Sequence, residues 1–456
     1  MSVSQRKNVY LYAGLLMRLT DHRLFDGFIT ASRVYNMKNQ GNPKKIAEVL
    51  RRASAGESVC IGFIGGSITQ GAAATDDSGC YAALVYKWLR EHFSASKVKY
   101  VNAGIGATTS QFGAARAEDD LLKYDPDLIV VEYSVNDNDE LPNDRREFFK
   151  ETYEGLIRRL LRHINGNGRH PAILIVHSVR YDDGSNEEEI HSMVGAHYGI
   201  PCISMKELVY DKIRENREGL GKVGDITADM LHPNDLGHRI VAKQITDHLE
   251  TISGSNADPV CGVGTIQETS PEPAAIREEL PSPLTDNSYE NAVRYNNLNS
   301  GPVCDGFVPD TAPVTAPLMI GETTVYASEV RDVFKGGWTA SKKGASITFT
   351  LTGSEIAVMY KKSVKKPAPI ACAVIDGDTE NRVKLDANFN EDWGDKAYMA
   401  TILHHGIISD GSVKDREHAP ACKKDNSVHT LTITIEEEGG ASDFYLINVI
   451  CAGTGE

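Results

Sequence analysis

The sequence predicts a doubly wound α/β parallel sheet followed by an antiparallel β-sandwich of jelly-roll-like type. Between residues 59 and 249, short apolar runs alternate with helical patterns, and this alternation is typical of an α/β sheet. After residue 288 the apolar period becomes two and glycine-rich turns appear, as in a sandwich. We therefore predict an α/β domain over residues 1–252, with residues 1–31 of open placement, and a sandwich over 288–456. The stretch between them, residues 253–287, is rich in Pro, Ser, Glu and Gly and is predicted to be a linker or a wrapping segment.

The strands of the first domain are predicted from near-continuous apolar runs, because parallel strands are covered on both faces. These runs are residues 59–64, 98–101, 128–133, 172–177 and 202–204. Apolar residues at helical spacing predict intervening helices over 81–89, with Ser78 as the cap, over 148–161 and over 235–249. A further helix is predicted upstream, over residues 43–52.

The strands of the second domain are predicted from alternation. Ile347, Phe349 and Leu351 alternate with Ser and Thr, and a second alternating run begins at Ile356, after a turn centred on Gly353. Further strand candidates are residues 370–375, 431–435 and 444–450.

Composition limits the classes of partner. The 456 residues carry 48 basic and 63 acidic side chains, a formal net charge of −15. Nucleic acids and anionic lipids select basic surfaces, so we expect neither a nucleic-acid nor a membrane partner. The eight cysteines are scattered singly, and no run reaches the length needed to span a bilayer, so the sequence favours a reducing, cytoplasmic location.

The first strand ends in a glycine-rich turn that contains Ser67. A serine between a strand and the next helix exposes its hydroxyl beside forward-pointing backbone N–H groups, an arrangement that suits a nucleophile. A phosphate-binding loop would require Lys where Ala72 stands, and an α/β-hydrolase elbow would require Gly where Thr69 stands. Taken alone, the motif also fits an ordinary tight turn.

Two further motifs follow later strands. The turn after the second strand runs from Asn102 to Ala107 and contains Gly104 and Gly106, which let backbone approach a ligand. Asn136 lies just beyond the third strand, where its amide can point into the same crevice. Each of these also fits a simple turn.

The fourth motif, Asp229-x-x-His232, precedes the last helix of the first domain. Its spacing places a carboxylate beside an imidazole, so that the second ring nitrogen is left free to take a serine proton. His238 is the rival histidine, and its position inside a helix indicates a packing or capping role.

Together, in this order, the four motifs resemble those of the SGNH (GDSL-type) esterases and acylhydrolases over roughly residues 32–249. The resemblance implies a flavodoxin-like sheet and a triad of Ser67 as nucleophile, His232 as general base and then acid, and Asp229 as its orienting carboxylate. It also implies an oxyanion hole formed by the backbone N–H groups of Ser67 and Ala107 and by the side chain of Asn136. The family often has Asp where Gly66 stands and usually has Gly where Ala107 stands.

No cofactor and no metal ion are needed for this chemistry. The charged stretch 187–197 is predicted to be a helix with a solvated face, and His404 and His405 to lie in a loop without further ligands at metal-binding spacing.

The order of a serine domain and a sandwich resembles that of bacterial intracellular carbohydrate esterases. The resulting expectation is a serine esterase that removes O-acetyl groups from oligosaccharides derived from plant polysaccharides. Gly66, Gly104, Gly106 and Trp393 are the predicted substrate contacts; Trp393 could stack on a sugar or fill an apolar site, as could Trp338. A short-chain acyl-thioesterase or lipid esterase and a non-enzymatic sugar-binding protein are the alternatives; the sugar and the oligomeric state stay open.

Overall fold

The computed structural model describes residues 41–139, 145–215, 221–254, 280–320, 323–405, 407–411 and 427–453. The N-terminal segment 1–31, whose placement the sequence leaves open, lies outside these residues. So do residues 255–279, which form most of the predicted linker or wrapping segment.

The first half of the chain contains a five-stranded sheet in the order β2-β1-β3-β4-β5. Its strands are β1 (Val59–Gly65), β2 (Val98–Gly104), β3 (Leu128–Glu132), β4 (Ala172–His177) and β5 (Cys202–Ser204). All four strand pairs are parallel. This is the flavodoxin-like order, in which the chain reverses its direction of winding next to β1 and places ligands at the carboxyl ends of the neighbouring strands. The predicted fold class of this half is confirmed.

Helices cover both faces of this sheet. They are α1 (Lys44–Ser54), α2 (Ser67–Gln70), α3 (Tyr81–His92), α4 (Ser110–Asp120), α5 (Ser134–Asp139), α6 (Arg146–Arg162), α7 (Glu188–His197), α8 (Asp211–Arg214), α9 (Val223–Ile226) and α10 (Asp235–Gly254). Residues of β1 alternate between the two faces: Ile61 and Phe63 join a core with α1, α3 and α10, whereas Cys60 and Ile64 join a core with α4 and α6. No helix among the described residues is both long and apolar enough to cross a bilayer.

Two helix predictions need correction. The cap of α3 is Cys80, whose thiol accepts the N–H of Ala83, and Ser78 instead lies in a short 3₁₀ turn, Asp77–Gly79. Helix α7 does not present a solvated face throughout, because it packs against the sheet and α6. His191 of α7 is fully buried, and its ring stacks on Tyr153 with centroids 3.6 Å apart.

The second half of the chain forms antiparallel sheets. Its strands are β6 (Val293–Tyr295), β7 (Val303–Asp305), β8 (Val308–Pro309), β9 (Thr315–Ile320), β10 (Thr323–Arg331), β11 (Trp338–Ala340), β12 (Ser346–Thr352), β13 (Glu355–Lys362), β14 (Ile370–Ile375), β15 (Val383–Asp386), β16 (Lys396–His404), β17 (Ile407–Gly411), β18 (Val428–Glu437) and β19 (Phe444–Ala452). A seven-stranded sheet has the path β17-β16-β13-β19-β11-β8 with β6 beside β19, and a five-stranded sheet has the order β15-β14-β18-β12-β7. Strands β9 and β10 form a separate hairpin.

The two larger sheets enclose a common apolar core, as predicted for a sandwich. Ile347, Phe349 and Leu351 of β12 face Val358 and Tyr360 of β13 across this core.

The other face of the seven-stranded sheet packs against the α/β half. Every residue of β19 is buried, and β13 is buried over Glu355 to Tyr360. Ala357 and Met359 of β13 share a core with Phe112 of α4 and Phe148 of α6. The sandwich is therefore joined to the α/β half through an apolar interface.

The end of the predicted linker, at Leu284 and Thr285, and Glu290 just beyond it lie along α6. The Glu154 carboxylate accepts the backbone N–H groups of Leu284 and Thr285 at 2.6 and 2.8 Å, and Arg158 Nε donates to Glu290 Oε2 at 2.7 Å. These contacts fasten the entry to the sandwich onto the α/β half.

An ionic cluster also joins the two halves. Arg294 of β6 donates to both carboxylate oxygens of Asp120, at 3.0 and 3.1 Å, and to Asp119 at 3.0 Å. Arg116 and Arg331 approach Asp120 as well. Burial acts to raise the pKa of Asp120, but the three guanidiniums outweigh it and hold this pKa below its ordinary value.

One loop prediction is wrong. His404 is the last residue of β16, and His405 follows it directly. Both contact the Glu355 carboxylate, which strand pairing brings from about fifty residues upstream. Local sequence spacing could not reveal a partner that distant.

Candidate active site

Ser67 lies where β1 gives way to α2, at the carboxyl edge of the sheet. It is the first residue of α2, where backbone N–H groups have no acceptor within the helix. The turn requires a glycine before it, since a Cβ on Gly66 would lie 1.8 Å from Oδ1 of Asn136. The structure therefore brings the amide of Asn136 directly over the Gly66-Ser67 turn.

His232 is presented by the loop between α9 and α10. This loop closes on itself, because the Thr227 hydroxyl and the Ala228 N–H both donate to the His232 carbonyl, at 2.8 and 3.1 Å. His232 Nε2 lies 2.9 Å from Ser67 Oγ, and His232 Nδ1 lies 2.7 Å from Asp229 Oδ2. Three side chains separated by up to 165 positions thus form one hydrogen-bonded chain.

The Asp229 carboxylate is held by backbone as well. Its Oδ1 accepts the N–H groups of Leu231 and His232, at 3.0 and 2.7 Å. Partial burial raises the pKa of Asp229, but the hydrogen bonds from the backbone and ring of His232 and from Leu231 lower it below its ordinary value overall. An ionised Asp229 favours the tautomer of His232 that carries its proton on Nδ1 and keeps Nε2 as an acceptor for the serine.

The turn after β2 is tied to α2. Asn102 Nδ2 donates to the carbonyl of Thr69 at 2.9 Å, and the Gly106 N–H donates to Gln70 Oε1 at 2.7 Å. A Cβ on Gly104 would lie 2.2 Å from the backbone nitrogen of Gln70. Gly104 and Gly106 therefore allow this turn to pack closely beside Ser67. Gln70, which holds the turn through the Gly106 N–H, is a site residue that the sequence did not indicate.

Ala107 follows that turn with a φ of 55°. This value lies in the left-handed region, which is narrow but allowed for an L-residue. Because the Gly106 N–H is engaged by Gln70, the next N–H along the turn belongs to Ala107.

Asp137, next to Asn136 in helix α5, bonds this helix to α4 and α7. Its Oδ1 accepts the N–H of Ser110 at 2.9 Å, and its Oδ2 lies 3.0 Å from His191 Nε2. Burial lowers the pKa of His191 to about 3, so this ring is neutral and donates from Nε2. The Asp137 carboxylate of α5 therefore connects the start of α4 with the middle of α7. The apolar residues around His191, Ile190 and Val194, were the available sequence signal for its burial.

Glu132 closes the site on the buried side. It ends β3, pairs with Gly65 of β1 and is fully buried. Burial raises the pKa of Glu132 to about 8, so the side chain carries a proton at neutral pH. Its Oε2 lies 3.5 Å from the Thr69 hydroxyl, which is also hydrogen-bonded to Tyr81 at 2.8 Å.

The remaining predicted aromatic and histidine residues lie apart from the triad. His238 accepts the Tyr81 N–H and donates to the Ala72 carbonyl, which confirms its packing role. Trp338 is buried in the sandwich core. Trp393 is 57% exposed, and among the described residues its hydrogen-bond and ring contacts are with Glu391 and Phe389 of the same loop.

A cleft begins at Ala107 and runs between the two halves of the molecule. On one side it is lined by the start of α4 and by α6, and on the other by Lys396, Tyr398 and Thr401 of β16. The sandwich therefore contributes one wall of a groove that adjoins the candidate site.

Comparison with known proteins gives consistent matches. The family model described as GDSL-like Lipase/Acylhydrolase family matches residues 63–240. A solved two-domain esterase active on acetylated mannans, co-crystallised with mannopentaose, superposes with a TM-score of 0.74 at 38% identity, covering 92% of this chain and 100% of that chain. Another structure of a two-domain esterase active on acetylated mannans gives 0.74 at 39% identity, over 92% of this chain and 98% of that one. Thioesterase 1/protease 1/lysophospholipase L1 of Escherichia coli (strain K12) is 26% identical over 194 residues, 40% of this chain and 86% of that protein.

Proposed function

The chain belongs to the GDSL-like lipase/acylhydrolase family and is a carboxylic-ester hydrolase, and from that premise we propose that it removes O-acetyl groups from manno-oligosaccharides. The observation that carries the proposed chemistry is the hydrogen-bonded chain from Ser67 through His232 to Asp229. A hydroxyl, an imidazole and a carboxylate in this relation form the arrangement by which serine hydrolases attack esters.

In the proposed first step, His232 Nε2 takes the proton of Ser67 Oγ while this oxygen attacks the acetyl carbonyl. Asp229 keeps the ring oriented and stabilises the imidazolium that forms. His232 then returns the proton to the sugar oxygen, which leaves as an alcohol, and an acetyl-serine intermediate remains. Water, activated by the same nitrogen, releases acetate and restores the serine.

The negative oxygen of each tetrahedral intermediate would rest on the Ser67 N–H, the Ala107 N–H and the Asn136 amide. The proposal is supported by the position of the Asn136 amide, which lies against the turn that Gly66 keeps free of a side chain. Such donors are fixed before the reaction, so they stabilise charge without reorganising, and each is worth roughly 3–4 kcal/mol of the barrier.

The substrate class is supported by both halves of the molecule. The matched two-domain esterase is active on acetylated mannans and aligns with nearly the whole chain, sandwich included. The cleft beside Ala107 offers Lys396, Tyr398 and Thr401, side chains that can donate hydrogen bonds to sugar hydroxyls. We propose that the oligosaccharide lies in this cleft and that Trp393, exposed on a sandwich loop, supplies a further sugar contact.

A short-chain thioesterase or lipid esterase is the second candidate, because the Escherichia coli relative is named a thioesterase and lysophospholipase. That match covers 40% of this chain, whereas the two-domain esterase covers 92% of it. A non-enzymatic sugar-binding protein is disfavoured by the intact hydrogen bonds of the triad. The cytoplasmic location expected from the cysteines stays a prediction.

The test compares acetate release from acetylated manno-oligosaccharides and xylo-oligosaccharides, and from an aryl acetate against the matching octanoate. We expect the mannan fragments and the acetate ester to be preferred, and NMR to identify the acetyl group that is removed. Ser67→Ala should abolish turnover with an unchanged Tm, whereas Ser78→Ala, in the nearby 3₁₀ turn, should remain active. Preference for octanoate would remove the acetylesterase assignment, and an active Ser67→Ala variant would remove Ser67 as the nucleophile.

A further inference from the structure

Two histidine rings converge at the end of β16, away from the triad. Successive residues of a strand normally point to opposite faces. His405, however, has a φ of 51°, a left-handed conformation uncommon for a residue with a side chain. The chain turns there, and the rings of His404 and His405 face each other with centroids 4.0 Å apart.

A buried carboxylate from each half of the molecule meets these rings. Glu355 of β13 is 1% exposed; its Oε2 lies 2.7 Å from His404 Nδ1, and its Oε1 lies 4.0 Å from His405 Nε2. Glu151 of α6 is also buried, and its Oε2 lies 3.2 Å from the same His405 nitrogen. His405 Nε2 thus lies between two carboxylates that come from different parts of the fold.

The donor set is one that transition metals favour. Imidazole nitrogens and carboxylate oxygens both bind Zn²⁺ at about 2.0–2.2 Å, which sets tetrahedral ligand atoms roughly 3.4 Å apart. The separations of 2.7 Å between Glu355 and His404 and of 4.0 Å between Glu355 and His405 lie on either side of that value. The ligand atoms of Glu355, His404 and His405 all lie within 4.8 Å of one another.

The two buried carboxylates, Glu151 and Glu355, also favour a bound cation. Buried carboxylates are costly unless they are paired with positive charge. One divalent cation would neutralise both carboxylates while both imidazoles remained neutral ligands, with no need for a proton on either ring.

We propose that Glu355, His404 and His405 hold a Zn²⁺ ion, and that Glu151, bonded to His405, connects this site in the sandwich to helix α6. The ion takes no part in ester hydrolysis. Its role is structural: it stabilises the contact between the α/β half and the seven-stranded sheet, because binding to the folded state alone raises stability by mass action.

The test uses the full-length protein, stripped with a chelator and then titrated with ZnCl₂ by calorimetry and with CoCl₂ by absorption spectroscopy. We expect one equivalent of Zn²⁺ per chain, a raised Tm, and the visible bands of tetrahedral Co²⁺. His404→Gln and Glu151→Gln should each weaken Zn²⁺ binding at least tenfold. His429→Gln is the matched control, since His429 makes a single contact of the same kind, 2.7 Å from Asp376 in the sandwich.

His232→Ala separates this site from zinc held at the triad, and it should retain the full stoichiometry. Circular dichroism and hydrolysis of an aryl acetate report whether the His404 and Glu151 variants are folded. Absence of Zn²⁺ binding by the wild type, or equal affinity in His404→Gln, Glu151→Gln and the control, would show that the cluster is only a set of ion pairs.

Discussion

Asn136 and Gly66 depend on each other, since the amide occupies the space that any side chain at position 66 would need. We expect Asn136→Ala to lower kcat by about 10²–10³-fold with a small change in KM, because the lost donor acts on the charged intermediate. Steady-state kinetics with an aryl acetate would measure this. Asn138→Ala is the control, because Asn138 lies on the same helix and donates to Ser185 instead. Equal losses in the two variants would contradict an oxyanion role.

Glu132 is expected to make the free energy of unfolding depend on pH. Its folded-state pKa of about 8 is above the ordinary value of 4.5, so the folded protein holds this proton more tightly than the unfolded chain. The stability contributed by this proton is complete below pH 4.5 and is lost as the pH rises toward 8, at about 1.4 kcal/mol per pH unit. Glu132→Gln, which cannot ionise, should therefore gain stability relative to the wild type across that interval.

Urea unfolding at several pH values measures that slope, and a constant offset between the two proteins would contradict the prediction. Glu118→Gln serves as the control because Glu118 is exposed on α4. We expect its difference from the wild type to stay flat over the same interval.

At the scale of elements, the carboxyl edge of the parallel sheet was predictable from the sequence. The apolar runs of β1 and β3 are buried throughout, and the turns after them carry the residues that meet in the site. This succeeds because parallel strands need apolar residues on both faces and release polar turns at a common edge.

The elements that escaped prediction depend on contacts distant in sequence. The outward residues of β13 are buried by α4 and α6, and Glu355 meets His404 through strand pairing. Cys80 caps α3 with a thiol, whereas hydroxyl and carboxamide side chains are the usual signal. Periodicity within one segment contains none of this information.

The hydrogen bond between His191 of α7 and Asp137 of α5 can be tested for its role in positioning Asn136. His191→Leu would leave Oδ2 of Asp137 buried without this donor, at a cost of about 1–3 kcal/mol, and should displace Asn136 so that kcat falls more than KM rises. His191→Gln, which can still donate, should recover part of both losses. His197→Leu, on the same helix, should change kcat little; a loss of stability without a loss of kcat in His191→Leu would make this hydrogen bond merely structural.

At the scale of the whole molecule, Asp120 neutralises guanidiniums from both halves. Asp120→Ala should lower the free energy of unfolding by about 3–5 kcal/mol, because Arg116 and Arg294 would remain buried without their shared acceptor. Asp119→Ala is the control: its carboxylate is half exposed and, within the described part of the chain, forms an ion pair with Arg294 only, so we expect a loss under about 1 kcal/mol. Chemical denaturation measures both, and equal losses would contradict the assignment.

The apolar interface behind β13 and β19 has a consequence for how such chains can recombine. A carbohydrate-binding module on a flexible tether can be exchanged between enzymes as an independent cassette. Here Ala357, Met359 and Ile447 complete the same core as Phe112 and Phe148, so a transplanted sandwich would expose this surface unless the receiving enzyme carried matching helices. Gene fusion or exchange would therefore have to carry both halves together as one inherited unit.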